Sequence, residues 1–509
     1  MKQAVYSLAI ISLLLTFSCR KDFTTEPSQG RLAFSKDTVY LDTVFTNIGS
    51  STYTLKVYNT ADQAVTIPSI TLGHGDNSGY RLNVDGQPGK SFSNVDILAK
   101  DSLFIFIETT IDYDDIQDPL YVDDLQFDSG VNEQVVKLVT LVQDAHFLYP
   151  AQNAGVIETL VIDGEQTEIQ GRYLQDDELT FTADKPYVIY GYMAVGDAQN
   201  NPKTLTMQPG TKVHFHANSG LIVNPNSSLK ILGELNVEGE PETEVVIQGD
   251  RLEPSFENIP GQWGVIWLRE GSLNHQISYA TIKNGAIGLL IDGYTDAAIP
   301  VLNVDNTQFY NHAQFGILAR STHIKGYNLV FNNFGFSGFA GVQGGVYEFT
   351  HCTFANYWNG GVRQLPVVLL NNFYKDSDNN YTVFDLQQAT FTNNIIYGNE
   401  NIELILDRID GGVFNYQFSH NLIRFSDNSG DYDDVAELDF EDTTHYTSNI
   451  INADPDFKDT SINQMMVGEN TAGLGKALNS ATAEYPIDIL GVTRGNPADL
   501  GAYEHIIFE

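Results

Sequence analysis

Cysteine is scarce in this chain, and its scarcity decides how the fold can be held together. The 509 residues include two cysteines, Cys19 and Cys352. Cys19 belongs to the N-terminal leader, so no intrachain disulfide is available to the mature protein once that thiol is modified. The fold must therefore be stabilised by packing and backbone hydrogen bonds rather than by cross-links.

Basic residues are also few. Lys and Arg number 27 against 65 Asp and Glu, which gives a formal charge of −38. A field of that sign repels polyanions, so a nucleic-acid partner is excluded. It also disfavours acidic glycans unless Ca²⁺ bridges them. The excess of acid otherwise supports solubility and identifies no partner.

Helical periodicity is the third feature that is missing. Beyond the leader, no long stretch repeats its apolar residues at the 3.6-residue period of a helix. The chain has 26 Tyr, 29 Phe and 43 Gly, and these residue types are typical of strands and turns. We predict an all-β protein, for which the sequence identifies no cofactor other than a candidate Ca²⁺ ion.

The N-terminus has the features of a secreted lipoprotein. Residues 1–18 contain an early lysine and an apolar stretch too short to span a bilayer, which predicts a signal peptide. Leu15-Thr-Phe-Ser-Cys19 is similar to a bacterial lipobox, although Thr16 stands where Leu is usual, and an ordinary signal peptide with an incidental cysteine is the alternative. Residues 19–30 predict a flexible tether. The segment resembles lipoproteins of Bacteroidota, which implies a palmitate anchor at Cys19 in outer-membrane lipid and display at the cell surface.

Residues 31–147 predict a first globular domain. Polar and apolar residues alternate there over about seven short segments, the pattern of an immunoglobulin-like β-sandwich that acts as a spacer or docking module. An acidic run that includes Asp112, Asp114 and Asp115 offers oxygen ligands for Ca²⁺. It lacks the twelve-residue spacing of an EF-hand, so a solvated acidic loop is the stronger interpretation.

Six short segments between residues 280 and 425 repeat one pattern. Aligning their central apolar residue selects positions 282, 309, 330, 354, 396 and 423, with steps of 27, 21, 24, 42 and 27 residues. Periods of this size indicate a solenoid, in which each coil packs on its neighbours. Asparagine follows two places later at Asn284, Asn311, Asn332 and Asn356, which predicts a structural asparagine ladder. The 42-residue step predicts an extra coil or a loop projecting at residues 371–380.

The segments around this ladder resemble right-handed parallel β-helix proteins, the group that includes pectate-lyase-like enzymes. The resemblance rests on Pro209-Gly-Thr-Lys-Val-His-Phe215, Trp263-Gly-Val-Ile-Trp-Leu268, Asp454-Pro-Asp-Phe457 and Pro497-Ala-Asp-Leu-Gly-Ala-Tyr-Glu504. It implies a β-helix over residues 201–430 with C-terminal coils and a cap at 431–509, preceded by a connecting β segment at 148–200. This scaffold carries lyases, hydrolases and non-catalytic proteins, so it defines a fold rather than an activity.

Two kinds of chemistry are conceivable on such a scaffold. Lyases of this group use a basic residue to remove the proton next to a uronate carboxylate, for which Arg320, Arg363 and Arg408 stand at similar offsets in their coils. Hydrolases use paired aspartates, for which Asp407 and Asp410 beside Arg408, together with Asp385, are candidates. Surface ion pairs are the simpler explanation of these charges.

Aromatic residues supply candidate sugar-binding faces. Trp358, Tyr357 and Phe373 lie near the predicted loop, and Trp263 and Trp267 come earlier. Most aromatic residues of a solenoid are core or cap residues, which is the alternative. We predict a surface-anchored, non-catalytic β-helix lipoprotein that contacts glycans, such as a polysaccharide, or other extracellular material. A polysaccharide lyase or glycoside hydrolase on the same scaffold and a purely structural or adhesive module are the alternatives. The sequence leaves the oligomeric state open.

Overall fold

The computed structural model describes residues 24–197, 199, 201–293 and 299–508. The chain divides into two compact units, and the boundary between them in the sequence lies between Asp144 and Ala145. The predicted signal peptide and the lipidation residue Cys19 lie outside the described residues. In the part that the structure describes, no helix is long and apolar enough to cross a membrane.

The first unit is built from two sheets whose strands alternate buried and exposed residues, as in Ser102–Thr109. The strands are β1 (Thr25–Pro27), β2 (Leu32–Phe34), β3 (Thr38–Phe45), β4 (Tyr53–Asn59), β5 (Ala64–Leu72), β6 (Tyr80–Val84), β7 (Gln87–Gly89), β8 (Ser91–Ile97), β9 (Ser102–Thr109), β10 (Leu120–Phe127) and β11 (Gln134–Gln143). One sheet has six strands, in the order β1-β5-β10-β11-β3 with β8 beside β5, and the other has five, in the order β2-β4-β9-β6-β7. One apolar core lies within this unit, with Val57, Ile67 and Ile105 fully buried.

The second unit contains a 27-stranded sheet, almost all of whose pairings are parallel. Its strands are β12 (His146–Leu148), β15 (Thr159–Ile162), β16 (Glu165–Tyr173), β17 (Thr180–Phe181), β18 (Tyr187–Ile189), β19 (Tyr192–Val195), β20 (Thr204–Met207), β21 (Lys212–Phe215), β22 (Gly220–Val223), β23 (Ser228–Leu232), β24 (Val245–Gly249), β25 (Trp263–Leu268), β26 (His275–Lys283), β27 (Gly285–Asp292), β28 (Leu302–His312), β29 (Phe315–Tyr327), β30 (Val330–Phe334), β31 (Phe339–Thr350), β32 (Thr353–Asn356), β33 (Val368–Asn371), β36 (Leu386–Thr392), β37 (Ile395–Gly398), β38 (Leu404–Asp407), β39 (Phe414–Ser419), β40 (Leu422–Ile423), β41 (Tyr446–Thr447) and β42 (Ile450–Ile451).

Short elements complete the second unit. Three two-stranded sheets or hairpins involve β13 (Gln152–Asn153) with β14 (Val156–Ile157), β34 (Phe373–Lys375) with β35 (Tyr381–Val383), and β43 (Phe457–Asp459) with β44 (Gln464–Val467). The described residues contain one α-helix, α1 (Asn479–Glu484). Single 3₁₀ turns in the two units occur at Gly75–Asn77, Tyr113–Asp115, Gly130–Asn132, Asp176–Glu178, Pro254–Phe256, Ala436–Leu438 and Thr460–Ile462.

Strands of the large sheet return to the same position after one period of the sequence repeat. Ile282 pairs with Phe309, Phe309 with Phe331, and Phe331 with Phe354. The rings of the three phenylalanines stack at 4.9 Å between successive centroids. Each strand of this column therefore packs its apolar side chain directly on that of the next strand, and one continuous core extends from Leu148 to Tyr446.

This register corrects the predicted alignment at one coil. The residue in the column is Phe331 rather than Val330, so the asparagine that stacks on Asn311 is Asn333 and not Asn332. Asn333 donates to the Asn311 side chain over 2.8 Å, whereas Asn332 bonds to Thr460 and Asn463 of the closing segment. A slip of one residue sends a strand side chain to the opposite face, which explains the different partners.

The long step from Phe354 to Ile396 contains one coil with insertions and no extra coil. Phe354 pairs directly with Ile396, so the chain returns to the column after 42 residues. Two segments leave the sheet within this coil: residues 357–367 and the hairpin of β34 and β35. The predicted projecting loop at 371–380 thus corresponds to a hairpin with its turn at Asp376–Asn380.

The C-terminal segment turns back on the sheet after β42. Met465, Ile489 and Leu500 pack against Val330, Ile395 and Leu422 on the outside of the coils. Arg494 bonds to the Asn328 side chain, and the backbone N–H of Gly501 donates to the carbonyl of Asn393. The closing segment therefore covers one side of several coils rather than only the end of the stack.

Candidate functional site

One groove of the second unit brings charged, aromatic and amide side chains together. We call it the corner groove, because it follows the bend that the chain makes directly after β25 and β27 and within β29 and β31. Its volume is about 610 Å³. The lining residues are Asp163, Trp267, Arg269, Glu270, Asp292, Gly293, Arg320, Ser321, Gln343, Phe384, Asp385 and Gln387.

The bend itself is made by residues in left-handed backbone conformations. Ser321 has φ of 46° and Gln343 has φ of 61°, and the Ser321 hydroxyl donates to the carbonyl of Gln343 over 2.6 Å. Gly344 follows with φ of 71°, and a Cβ there would lie 2.2 Å from the carbonyl oxygen of Asp385. Left-handed non-glycine residues are uncommon and require support from their surroundings, so the corner is a fixed feature of these coils.

Positive and negative side chains alternate along the groove, because the strand register places them at equivalent positions of neighbouring strands. Asp292 pairs with Arg320 in the ladder, and Arg269 follows Leu268, whose partner is Ile291, the residue before Asp292. Arg269, Asp292 and Arg320 therefore occupy successive coils in one column. Each follows a run of apolar residues, as in Leu290-Ile-Asp292 and Leu318-Ala-Arg320.

Both guanidinium groups are matched to carboxylates. Nη2 of Arg269 lies 2.6 and 2.7 Å from the two oxygens of Asp163, and Nη1 lies 2.9 Å from the Asn224 amide oxygen. The Asp292 carboxylate accepts from Nε and Nη2 of Arg320 over 2.5 and 2.7 Å. Such paired, charge-assisted bonds fix the orientation of both partners.

Asp292 also positions the aromatic residue of the groove. The indole Nε1 of Trp267 donates to Asp292 over 2.8 Å, and the Arg269 guanidinium lies 5.6 Å from the centre of the indole ring. Trp267 is half-buried on the outward side of β25, whereas its neighbours Ile266 and Leu268 are fully buried. The indole is therefore held in one orientation, with part of its surface exposed to the groove.

Other polar groups in the groove have no side-chain partner. Within the described part of the chain, the Glu270, Gln343 and Gln387 side chains make no hydrogen bond. Asp385 accepts one bond, from the backbone N–H of Val413 over 2.8 Å. A row of unpaired donors and acceptors beside an aromatic surface is the arrangement that a polyhydroxylated ligand requires.

The groove is elongated along the direction in which the coils stack. Its two ends are four strand pairings apart, through β25, β27, β29, β31 and β36. Because neighbouring strands lie about 4.8 Å apart, the groove extends over about 19 Å. The far end is closed by Phe384 and Asp385, which connect the hairpin of β34 and β35 to β36.

The three predicted arginines occupy different environments. Arg320 lies in the corner groove. Arg363 is buried between β32 and β33, where both terminal nitrogens contact the Glu403 carboxylate and its side chain is 1% exposed. Arg408 is 40% exposed and pairs with Glu437 and Asp410 at 3.1 and 3.2 Å. The structure therefore brings only Arg320 of the three into the groove.

Asp385 and Trp267 line the groove, whereas the other predicted acids and aromatics discussed next lie outside it. Asp407 ends β38 in register with Asn371, where burial raises the pKa of its carboxyl, and the Asp410 side chain is 96% exposed. Tyr357 packs edge-on against Phe457, and Phe373 packs edge-on against Tyr381. The carbonyl of Trp358 accepts from Asn399 over 2.9 Å.

Of the three residues predicted to bind Ca²⁺, Asp112 bonds to the backbone, whereas Asp114 and Asp115 are exposed. Asp112 caps the turn at Tyr113–Asp115 by accepting from the backbone N–H of Asp114. Among the described residues, the group whose ligand atoms lie within 4.8 Å of one another is Asp499, Glu504 and His505. Those carboxylates already accept backbone N–H groups of Gly475, Gly495 and Asp499, so they hold the closing segment together.

Sequence reasoning missed Asp163, Arg269 and Asp292. The recurring charge at the end of an apolar strand was the available signal for Arg269 and Asp292. Asp163 reaches Arg269 from a position 106 residues earlier in the chain, and no spacing rule predicts that contact.

Comparisons with known proteins identify no family. No protein-family model matches the chain, and no curated protein matches it. A family 123 glycoside hydrolase from Clostridium perfringens is similar over 22% of this chain at 10% identity, with a TM-score of 0.16, and the match spans 25% of the hydrolase.

Two other solved structures are similar to part of the chain. A PapD-like domain of human CEP192 matches over 24% of this chain and 92% of its own length, with 9% identity and a TM-score of 0.16. The periplasmic chaperone SfaE matches over 22% of this chain and 56% of its own, with 17% identity and a TM-score of 0.14.

Proposed function

We propose that this protein is a right-handed parallel β-helix that binds an extended glycan in the corner groove without cleaving it. The observation that carries the proposal is the combination of an oriented indole with a row of unpaired polar side chains. Trp267 offers a flat apolar surface, and Glu270, Gln343 and Gln387 offer hydrogen-bonding groups along the same groove. Sugar rings have an apolar face and a rim of hydroxyls, which matches both features.

The coil assignment is supported by the pairing of the sheet. Successive parallel pairings join residues one sequence period apart, and like residues stack in columns such as Phe309, Phe331 and Phe354. Short parallel strands without helical crossovers are accommodated when the chain coils continuously.

Binding without cleavage is supported by the hydrogen bonds of the two acids that pair with arginines. Asp292 accepts from the two nitrogens of Arg320 and from the Trp267 indole, and Asp163 is paired with Arg269. These three donors occupy the oxygens of the Asp292 carboxylate and fix its orientation, which leaves it poorly placed to transfer a proton to a leaving group. Arg320 is likewise committed to Asp292, which leaves it unsuited to act as a base.

We propose in addition that the protein is anchored in the outer membrane through a lipid on Cys19, with residues 31–147 as an immunoglobulin-like spacer. The lipobox-like segment and the polar tether support this proposal. Labelling of cells with a palmitate analogue should modify the wild-type protein and leave Cys19→Ser unlabelled. Equal labelling of both proteins would contradict the anchor.

A glycan array combined with a depolymerase assay tests the function, with and without Ca²⁺. Wild-type protein should retain one or more glycans and release no new ends. Trp267→Ala should lose at least about fivefold in affinity, because aromatic contacts with a ligand contribute about 1–3 kcal/mol. The matched control is Tyr40→Ala, which removes an aromatic side chain that is 64% exposed in the first unit. Release of unsaturated or reducing ends would contradict the non-catalytic assignment.

A further inference from the structure

The Asp163–Arg269 contact has a property that the other groove contacts lack. The Arg269 side chain is 9% exposed, whereas the Asp163 side chain that neutralises it is 72% exposed. A largely buried guanidinium is thus covered on its accessible side by a carboxylate that is itself mostly in solvent. The carboxylate occupies the position on Arg269 that an acidic group of a ligand would need.

Asp163 reaches this position from a tight hairpin turn. Ile162 pairs with Glu165, so Asp163 and Gly164 form a two-residue loop between β15 and β16, with φ of 54° and 81°. Both residues are left-handed, as a type I′ turn requires, and Asp-Gly is a preferred sequence for this turn. The backbone of the turn therefore points the Asp163 carboxylate at Arg269.

The charge balance of the groove extends this argument. Its lining includes four carboxylates, on Asp163, Glu270, Asp292 and Asp385, and two guanidiniums, on Arg269 and Arg320. Four negative and two positive charges leave a net charge of −2. Each guanidinium is paired with a carboxylate at 2.7 Å or less. No cation in the described lining is uncompensated, so an acidic sugar would meet repulsion without a partner.

From these contacts we infer that the corner groove selects uncharged glycans over acidic ones, and that Asp163 is a residue that determines this specificity by masking Arg269. The inference rests on the proposed glycan-binding function and names the class of ligand. Removal of the Asp163 charge would leave a fixed guanidinium without a compensating carboxylate, and its donors are suited to a uronate carboxylate.

Asp163→Asn is the variant that tests this inference. Asparagine is at least as favourable as aspartate in a type I′ Asp-Gly turn, so the hairpin should be retained. Asp85→Asn is the matched control. Asp85 and Gly86 form the two-residue loop between β6 and β7 with φ of 51° and 79°, and Asp85 is not part of the groove. Both variants change the net charge by the same amount at the same type of turn.

The probes are neutral hexose oligomers of equal length and the same oligomers oxidised at C6 to uronates. Wild-type protein and Asp85→Asn should bind the neutral oligomers and reject the oxidised ones. Asp163→Asn should gain at least about tenfold in affinity for the oxidised oligomers, the size of one charge-assisted hydrogen-bonded pair, and this gain should weaken with added salt. A role of Asp163 in folding alone would lower both affinities together and would not change their ratio.

Two results would overturn the inference while leaving the proposed function intact. One is wild-type protein that binds the oxidised oligomers as well as the neutral ones. The other is Asp163→Asn with an unchanged ratio of the two affinities. If neither wild-type protein nor Asp163→Asn binds any oligomer of either kind, the proposed function fails and this inference fails with it.

Discussion

The two units satisfy some of their polar side chains in different ways. In the first unit, the buried residues Asn59 and Asp128 lie at strand ends, where they bond to neighbouring loops. In the second unit, Asn394, Asn421 and Asn449 follow one another in a single column and bond to one another. Repeated parallel pairing satisfies the same polar group in the same way at each step of this column, whereas the two sheets of the first unit contain no such repeat.

The largest expected effect is the loss of the buried ion pair of the second unit. Arg363→Leu would leave the fully buried Glu403 carboxylate without its cation and should lower the free energy of unfolding of that unit by about 3–5 kcal/mol. All three tryptophans, at positions 263, 267 and 358, belong to the second unit, so denaturant unfolding followed by tryptophan fluorescence reports on it alone.

Arg408→Leu is the control for this prediction, because Arg408 forms exposed ion pairs that contribute about 0–1 kcal/mol. Equal destabilisation by the two substitutions would contradict the claim that the buried pair of Arg363 contributes more to stability than the exposed pairs of Arg408.

Breaking the asparagine column should have the next largest effect. The Asn421 amide oxygen accepts from the backbone and side-chain nitrogens of Asn394, and its own nitrogen donates to the Phe391 carbonyl. Asn421→Ala leaves these buried groups unpaired and should cost about 3 kcal/mol in the stability of the second unit. Asn303→Ala, at an exposed position of β28, should cost less than about 0.5 kcal/mol. Similar costs for the two variants would show that the column adds nothing beyond packing.

Acid should destabilise the second unit through its buried histidines. Desolvation by burial lowers the pKa of His312 to about 4 and that of His275 to about 3, and Nδ1 of each ring accepts a backbone N–H. The unfolded chain binds these protons near pH 6.5, so the stabilisation is present above that pH and is lost as the pH falls toward 4. Each histidine should cost about 2 kcal/mol at pH 5.

The first unit provides the comparison for the acid prediction, because its one histidine, His74, has a side chain that is 53% exposed. Unfolding curves recorded between pH 7.5 and pH 5 should show a loss in the tryptophan-reported transition, and His312→Gln should reduce its slope with pH. A flat profile for the second unit would contradict the neutral state of these rings.

The sequence predicted the repeat well and its register less well. Apolar residues at period-length steps predicted the stacking of Ile282, Phe309 and Phe354. Consecutive apolar residues at Val330 and Phe331 made the alignment ambiguous by one place, and this moved the predicted ladder from Asn333 to Asn332. Only the partner strand decides such a choice, because both residues are compatible with the local pattern.

The candidate site was less predictable than the fold. Arg320, Asp385 and the aromatic candidate Trp267 were identified from sequence. The groove that they line, however, is formed by several strands that are distant in sequence and by the hairpin turn at Asp163. Arg363 could not be distinguished from Arg320 by its offset in the coil, although one is buried against Glu403 and the other lies in the groove. Burial of a charged residue depends on a partner elsewhere in the chain, and its local sequence does not reveal that partner.

The central claim is that the corner groove holds an extended glycan along the direction of stacking. Isothermal titration of the purified protein with neutral oligosaccharides of increasing length, chosen from those retained on the array, tests it most directly. Affinity should rise with chain length until the oligosaccharide spans about 19 Å and should then level off, and Trp267→Ala should weaken every member of the series. Affinity independent of length, or unaffected by Trp267→Ala, would contradict the claim.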